Sequence, residues 1–306
     1  MIKTSYLVRS FLFPSFSVHH LLSNLSAKKK VHSCIMLPPI VSNLVFPLIG
    51  TIICTILWLT PLPVVLEARY TRYMGPTNPY PFVVTVFNCI GWVIYGCLTK
   101  DIFLLLSNIS GLCLGFYYSI VSLTVIAKKT ADSDFSDLYI GVESLLIFAV
   151  FFWAIMGYVA ATGFSDPAEG THMVGMLGCA FSVAYYGSPL SSLLQVLQKG
   201  DSSSILLPLV CINIINAVLW FGYGLFAKGD PNIWIPNGCG VVLGLIQGFI
   251  RLTIPAREVS QGQGIQHYLL LLQGKVPPSF VTSEKIRKQR EEHATILDHP
   301  DNDAQL

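Results

Sequence analysis

Two triplets of neutral polar and aromatic residues carry most of this chain's capacity for chemistry. Asn88, Trp92 and Tyr95 follow an i, i+4, i+7 spacing that places them on one face of a helix, and Asn216, Trp220 and Tyr223 repeat the pattern. Asn108 and Asn237 add two more amides inside apolar runs. An Asn amide both donates and accepts hydrogen bonds, and Trp offers a flat apolar face. Together they suit an uncharged polyol, whose hydroxyls need both kinds of partner and whose C–H faces need a wall. Catalysis would call for activated nucleophiles, paired carboxylates or metal ligands at the same depth. The apolar runs hold almost none: Glu143 and Arg251 lie near run ends, within reach of water. An enzyme is therefore the weakest reading. The same scarcity of titratable groups argues against proton coupling and for passive movement of solute.

The elements that must hold these residues are transmembrane helices. Of 306 residues, 53% are apolar and 12% charged, where a soluble domain carries about 25% charged residues. The apolar residues gather in blocks long enough to cross about 30 Å of hydrocarbon as helices. Seven spans are expected near 44–66, 80–99, 102–126, 139–162, 173–197, 206–227 and 233–254. A net charge of +2 leaves no footprint for nucleic acid. The eight cysteines form no C-x-x-C pair and the seven histidines no ligand cluster, so neither a metal nor another cofactor is expected.

The chain also repeats itself. Pro61-Leu62, Asn88, Trp92, Tyr95, Gly96 and Lys100 recur 128 positions later as Pro189-Leu190, Asn216, Trp220, Tyr223, Gly224 and Lys228. One residue then enters, and Asp101, Asn108, Gly111 and Gly115 recur 129 positions later as Asp230, Asn237, Gly240 and Gly244. The fold class expected is all-α integral membrane, with two parallel three-helix repeats joined by a linker helix. The first repeat covers 40–130, the linker 139–162 and the second repeat 173–255. Three spans invert the chain and the fourth restores its direction, so equivalent residues point the same way. A transporter of this plan holds its solute between the copies.

Basic residues orient the chain. Arg69, Arg72, Lys128, Lys129 and Lys199 lie in loops on one side, together with the tail's Arg257, Lys275, Lys285, Arg287, Lys288 and Arg290. That side is expected to be cytoplasmic, with residues 256–306 a polar, disordered tail. Residues 1–36 run against the rule, with Lys28, Lys29 and Lys30 on the wrong side and no acidic residue before Glu67. They read either as a targeting segment or as an extended gene model whose true start is Met36. The direct lead from Met36-Leu37-Pro38-Pro39 into the first span favours the second reading.

Each feature has a purely structural explanation beside the functional one. A membrane Asn serves as glue between helices, worth about 1 kcal/mol, and Trp or Tyr near a span end serves as an interface anchor. Recurrence in both copies moves the balance toward a site. Pro61, Pro81, Pro189 and Pro208 occupy matching places and are expected to kink four spans, as hinges or a gate. The glycines at 111, 115, 240 and 244 have the spacing of closely packed helices.

Taken together, the motifs resemble the SWEET family of sugar uniporters over about residues 40–255. The second copy carries Ser188-Pro189-Leu190, Trp220-Phe221-Gly222-Tyr223-Gly224 and Ile235-Pro236-Asn237-Gly238. The first carries Pro61-Leu62-Pro63, Pro79-Tyr80-Pro81, Asn88-Cys89 and Trp92-Val93-Ile94-Tyr95-Gly96. The resemblance implies an alternating-access carrier of mono- or disaccharides that needs no energy source. It implies that Asn108 and Asn237 are the paired sugar-binding asparagines and that Trp92 and Trp220 line the pocket, with Asn88 and Asn216 one turn away. It makes Pro61, Pro81, Pro189 and Pro208 a tetrad near the cytoplasmic gate, and Tyr95 and Asp230 parts of the outer gate. Leu57 and Tyr185, one turn before their prolines, match positions that size the pocket. Tyr185 and the two extra asparagines are bulky, which favours a hexose over sucrose. Departures are the long N-terminus and the short linker after the sixth span. The expected partners are a sugar and the bilayer, with a homo-oligomer left open and the plasma membrane the favoured location. Two alternatives stand. One is a PQ-loop-type small-solute or amino-acid exporter, although Leu62, Phe82, Leu190 and Leu209 stand where Gln would follow proline. The other is a non-transporting membrane receptor or scaffold.

Overall fold

Lipid gives a backbone no hydrogen-bond partners, and the chain answers with helices throughout its described part. The structure is a computed structural model describing residues 38–74, 77–129, 137–185, 187–202 and 204–255. The expectations for residues 1–36 and 256–306 fall outside that set. A π-helical turn at Val41–Val45 leads into α1 (Phe46–Leu59), which is followed by α2 (Leu62–Thr71), α3 (Tyr80–Thr99) and α4 (Ile102–Lys129). Next come α5 (Asp137–Thr162), α6 (Pro167–Tyr185), α7 (Gly187–Lys199), α8 (Leu207–Gly222) with a π-helical continuation at Tyr223–Lys228, and α9 (Pro231–Thr253). Among the described residues there is no strand.

The helices pack as two three-helix sets. In the first, α1 and α3 both lie against α4; in the second, α6 and α8 both lie against α9. The expected small-residue contacts are present: Gly115 of α4 sits over Val86 of α3, and Gly244 of α9 over Ile214 of α8. The sets meet along two seams, α3 against α6 and α1 against α8. The linker α5 packs on α3, α4 and α6, so it backs one seam only. Its Trp153 is fully buried in an aromatic cluster with Phe87 of α3 and Phe181 of α6.

Six segments are long and apolar enough to cross a bilayer: Val41–Thr71, Tyr80–Thr99, Ile102–Ala127, Asp137–Thr162, Leu207–Lys228 and Pro231–Thr253. The fifth expected span, 173–197, differs. Its helix starts earlier, at Pro167, and gives way to a separate helix at Gly187, with Tyr186 outside the described residues. α6 carries Gly170, Gly175 and Gly178 and touches α3, α5 and α9. Its glycines let neighbouring helices approach closely and dilute its apolar character.

The prolines also differ from expectation. Pro81 and Pro208 lie in the first turn of α3 and α8, where a missing N–H costs no helical bond, so they start helices rather than kink them. Pro61 caps α2 at the break between α1 and α2. Pro189 lies within α7; its side chain is outside the described residues.

The single inserted residue has a visible home. Asp101 N–H donates to Gly96 O at 2.9 Å, while Asp230 N–H donates to Gly224 O at 2.8 Å across one residue more. The π-helical turn at Tyr223–Lys228 absorbs the extra residue, and Gly229 takes the left-handed conformation at φ 60°. Both repeats then resume in register at an Asp that caps the next helix: Asp101 accepts from the N–H groups of Phe103 and Leu104, and Asp230 from that of Asn232.

A Cβ at Gly91 would clash with the Trp153 ring, whereas one at Gly248 would meet nothing within 4 Å. Gly91→Ala is expected to destabilise the protein by about 1–3 kcal/mol through overpacking, and Gly248→Ala to leave it unchanged or slightly more stable. Thermal unfolding in detergent checks both.

Candidate functional site

At the end of α3 and α8 the two repeats are joined by crossed hydrogen bonds. Tyr95 Oη donates to Asp230 Oδ2 at 2.6 Å, and Tyr223 Oη donates to Asp101 Oδ2 at 2.6 Å. Each bond runs from one repeat to the other, and each acceptor is the carboxylate that caps the next helix. Asn232 Nδ2 donates to Tyr95 Oη at 3.2 Å. Lys228 Nζ stands 2.9 Å from Asp101 Oδ2 and 5.4 Å from the Tyr223 ring centroid. Lys228 is well exposed, so its ion pair is screened and adds little; the hydrogen bonds to the carboxylates carry more. Asp101 is buried, and between Tyr223, Lys228 and two backbone N–H groups both its oxygens are satisfied.

One turn inward the twofold relation continues in the aromatics. Trp92 meets Tyr95 edge-on at 5.8 Å and 81°, and Trp220 meets Tyr223 at 5.8 Å and 78°. Each Trp lies on a glycine of the opposite repeat, Trp92 on Gly178 of α6 and Trp220 on Gly50 of α1. A Cβ at Gly50 would press on the Trp220 indole at 3.1 Å, while one at Gly178 would meet Trp92 in ordinary contact at 3.7 Å.

Two turns inward the symmetry fails. Trp92 Nε1 donates to Ser182 Oγ at 2.9 Å, and Ser182 Oγ donates to Asn88 Oδ1 at 2.8 Å. In the other copy, Asn216 Oδ1 is buried and has no hydrogen-bond partner among the described residues. Asn108 and Asn237 behave alike: each amide nitrogen donates to the carbonyl one turn back, Leu104 O at 2.9 Å and Ile233 O at 2.7 Å. Asn108 Nδ2 also reaches Ser107 Oγ at 3.2 Å. These bonds fix both side chains and leave the amide oxygens available.

A cavity of about 660 Å³ opens toward the other end of α8, within the usual range for small-molecule sites. Asn216, Asn237 and Tyr185 line it, with Asn213 and Gln247 adding polar groups and Lys199 and Asp201 charged ones. The structure thus brings together three of the expected site residues in one cavity. Asn108, Trp92, Trp220, Asn88 and Leu57 are not in its lining. Asn108 is buried in α4, and Leu57 is half-buried at the end of α1. The equivalents of Val65 and Ala68 in α2 are the larger Leu193 and Val196 in α7, which border this cavity. A second hollow of about 550 Å³ lies at the latched end, lined by Tyr95, Asp101, His172, Lys228 and Asp230 among others. The two linings share no residue. Asn216 and Tyr223 are seven residues apart, about 10 Å along a helix.

Four residues were not given their present roles from sequence: Asp101, Tyr223 (read there only as part of the aromatic face), Lys228 and Ser182. The first two carry a readable signal, since the repeat that pairs Tyr95 with Asp230 implies the reciprocal pair. Lys228 pairs with Asp101, whereas among the described residues its counterpart Lys100 forms no ion pair with Asp230. Ser182 has no signal at all, because its counterpart is Cys54. Among the described residues no cluster of three His, Cys, Asp or Glu side chains suits a metal ion.

A family model described as "Sugar efflux transporter for intercellular exchange" matches residues 44–130 and 172–258. The sugar transporter SWEET1 of Drosophila pseudoobscura pseudoobscura is 29% identical over 190 residues, 62% of this chain and 79% of that protein. The bidirectional sugar transporter SWEET7 of Arabidopsis thaliana is 31% identical over 207 residues, 65% of this chain and 76% of that protein. Human sugar transporter SWEET1 is 26% identical over 190 residues, 62% of this chain and 81% of its own. A solved eukaryotic SWEET transporter shares the fold with a TM-score of 0.62 at 20% identity, covering 69% of this chain and 96% of that one. The two matched stretches make up more than half of the sequence and hold its two three-helix sets, and the chain belongs to this family of multi-pass membrane proteins, the SWEET family.

Proposed function

We propose that this protein carries a sugar across a membrane, down its gradient, by alternating access. The observation that carries the reading is the opposed state of the two ends: crossed Tyr–Asp bonds hold the repeats together at one, while a cavity bordered by Asn216, whose amide oxygen has no partner, and by Asn237 stands open at the other. A carrier caught facing one side has this form. The described part of the chain places its polar groups at depth as amides, hydroxyls and indoles. The carboxylates of Asp101, which is buried, and Asp230, which is half-buried, are engaged in capping and latching. Nothing in that set demands an ion as cosubstrate.

In this reading Asn108, Asn237, Asn88 and Asn216 supply amides to the sugar, Trp92 and Trp220 supply its flat walls, and Leu57 and Tyr185 set its size. Tyr185 at the cavity and the number of amides favour a hexose. Tyr95, Asp230 and their reciprocal partners Tyr223 and Asp101 close the outer gate. Pro61, Pro81, Pro189 and Pro208 mark the helix starts and breaks around the opposite gate, where segments turn without losing interior hydrogen bonds. The basic residues at Arg69, Lys199 and Arg251 support a cytoplasmic placement of that end and of the tail, with the plasma membrane as the location. The family's named members are sugar transporters rather than enzymes, which supports a non-catalytic role.

Purified protein in liposomes is expected to take up labelled glucose or fructose without any pH difference; accumulation driven by a proton gradient would contradict passive transport. Asn108→Ala and Asn237→Ala are each expected to abolish uptake while the protein still folds and inserts, and normal uptake in either would reduce that amide to packing. At the outer gate, Asp101→Ala is expected to lower thermal stability more than Asp230→Ala does. It removes a Tyr bond, an ion pair and two cap bonds, against one Tyr bond and one cap, a difference of about 1–2 kcal/mol. A tag at the C-terminus is expected to stay hidden on intact cells and appear on permeabilisation; labelling of intact cells would reverse the orientation.

A further inference from the structure

The two repeats meet along seams related by the internal twofold, and the seams are built differently. On the α3–α6 seam, Ser182 accepts from Trp92 Nε1 and donates to Asn88 Oδ1. Its neighbour Phe181 meets Phe87, the neighbour of Asn88, edge-on at 4.7 Å, and both pack on Trp153 of the linker. On the α1–α8 seam the equivalent of Ser182 is Cys54, and the equivalents of Phe181 and Phe87 are Ile53 and Ile215. Ile215 is half exposed, and no linker helix lies behind it. A thiol is a weak hydrogen-bond partner, and no bond joins Cys54 to Asn216. The amide oxygen of Asn216 is left buried and unpartnered, in a residue that lines the cavity. An orphaned buried acceptor of this kind is costly unless something fills it.

Resting on the sugar-carrying reading above, we infer that Ser182 is a positioning residue that makes the site one-sided. It commits the Asn88 amide oxygen and the Trp92 N–H to the protein, so on this seam the first repeat can offer the sugar only the Asn88 amide nitrogen, a donor. Of the two equivalent amide oxygens, only that of the second repeat is left to accept, and there a sugar hydroxyl donates to Asn216 Oδ1. The pinned α3–α6 seam holds its shape while the α1–α8 seam takes up the solute. The consequence is a fixed orientation of the sugar in a fold whose symmetry would otherwise offer two.

The test is uptake into liposomes of glucose and a set of monodeoxyglucoses, with KM and kcat measured separately. In the wild-type protein, loss of one particular hydroxyl is expected to raise KM about tenfold, the worth of one hydrogen bond. Asn216→Ala is expected to erase that sensitivity. Ser182→Ala releases Asn88 and Trp92, so a second hydroxyl becomes sensitive by a similar factor, and Ser182→Thr restores the wild-type pattern because it keeps the hydroxyl. If Ser182→Ala fails to fold, Ser182→Cys, which copies the first repeat's own side chain, is expected to give the same second sensitivity. A Ser182 variant that loses thermal stability yet keeps the wild-type deoxysugar pattern overturns the inference, as does Asn216→Ala with the original sensitivity intact. Wild-type liposomes that take up no sugar would instead overturn the transport reading, and this inference with it.

Discussion

Two short hydrogen bonds, crossed between the repeats, are the joint on which the rest of the structure turns. Tyr95 reaches Asp230 and Tyr223 reaches Asp101, each at 2.6 Å. Neither carboxylate is recruited for the latch alone, since each also caps the helix that follows it. Parting the repeats therefore breaks the tyrosine bonds and leaves both caps in place. The cost of opening is a few hydrogen bonds, each worth about 0.5–1.5 kcal/mol net, or somewhat more to a charged acceptor. That scale is compatible with two states in exchange rather than a permanently closed end. Lys228 adds a charge on one side only, and its exposure keeps that contribution small.

The departures from internal symmetry have a common root in the linker. One helix without a counterpart cannot lie on both sides of a twofold axis, so α5 backs the α3–α6 seam and leaves the α1–α8 seam without a backing helix. Residues at equivalent positions then meet different surroundings. Phe87 and Phe181 pack with Trp153 behind them, where Ile215 and Ile53 stand in the other seam. The amide at Asn88 is bonded and the amide at Asn216 is not. The π-helical turn after Tyr223 is a second departure, yet it leaves the gate intact because it is absorbed before Asp230.

Much of the frame was legible because lipid imposes it. A segment must be about 20 residues long and apolar to cross the hydrocarbon, and α3 runs over Tyr80–Thr99, the same bounds that hydropathy suggests. The rule weakens where protein replaces lipid as the surroundings. α6 packs against α3, α5 and α9 with Gly170, Gly175 and Gly178 at its close approaches, so small residues dilute its apolar run and its start at Pro167 was misplaced. The prolines were legible as a matched set but not as helix starts. Whether a proline bends a helix or begins one depends on where the preceding chain first becomes helical, and Pro79 at the cap of α3 settles that locally.

Spacing alone determined that Asn88, Trp92 and Tyr95 share a helix face and that the second repeat carries the same face, because both follow from 3.6 residues per turn and from the copied order of residues. Tertiary structure alone decided which of those groups is already satisfied. Ser182 lies 94 residues from Asn88, on a helix of the other repeat, with nothing at its counterpart position to announce it. A hydrogen bond depends on distance and angle across a packed seam, and neither is encoded in the periodicity of either helix.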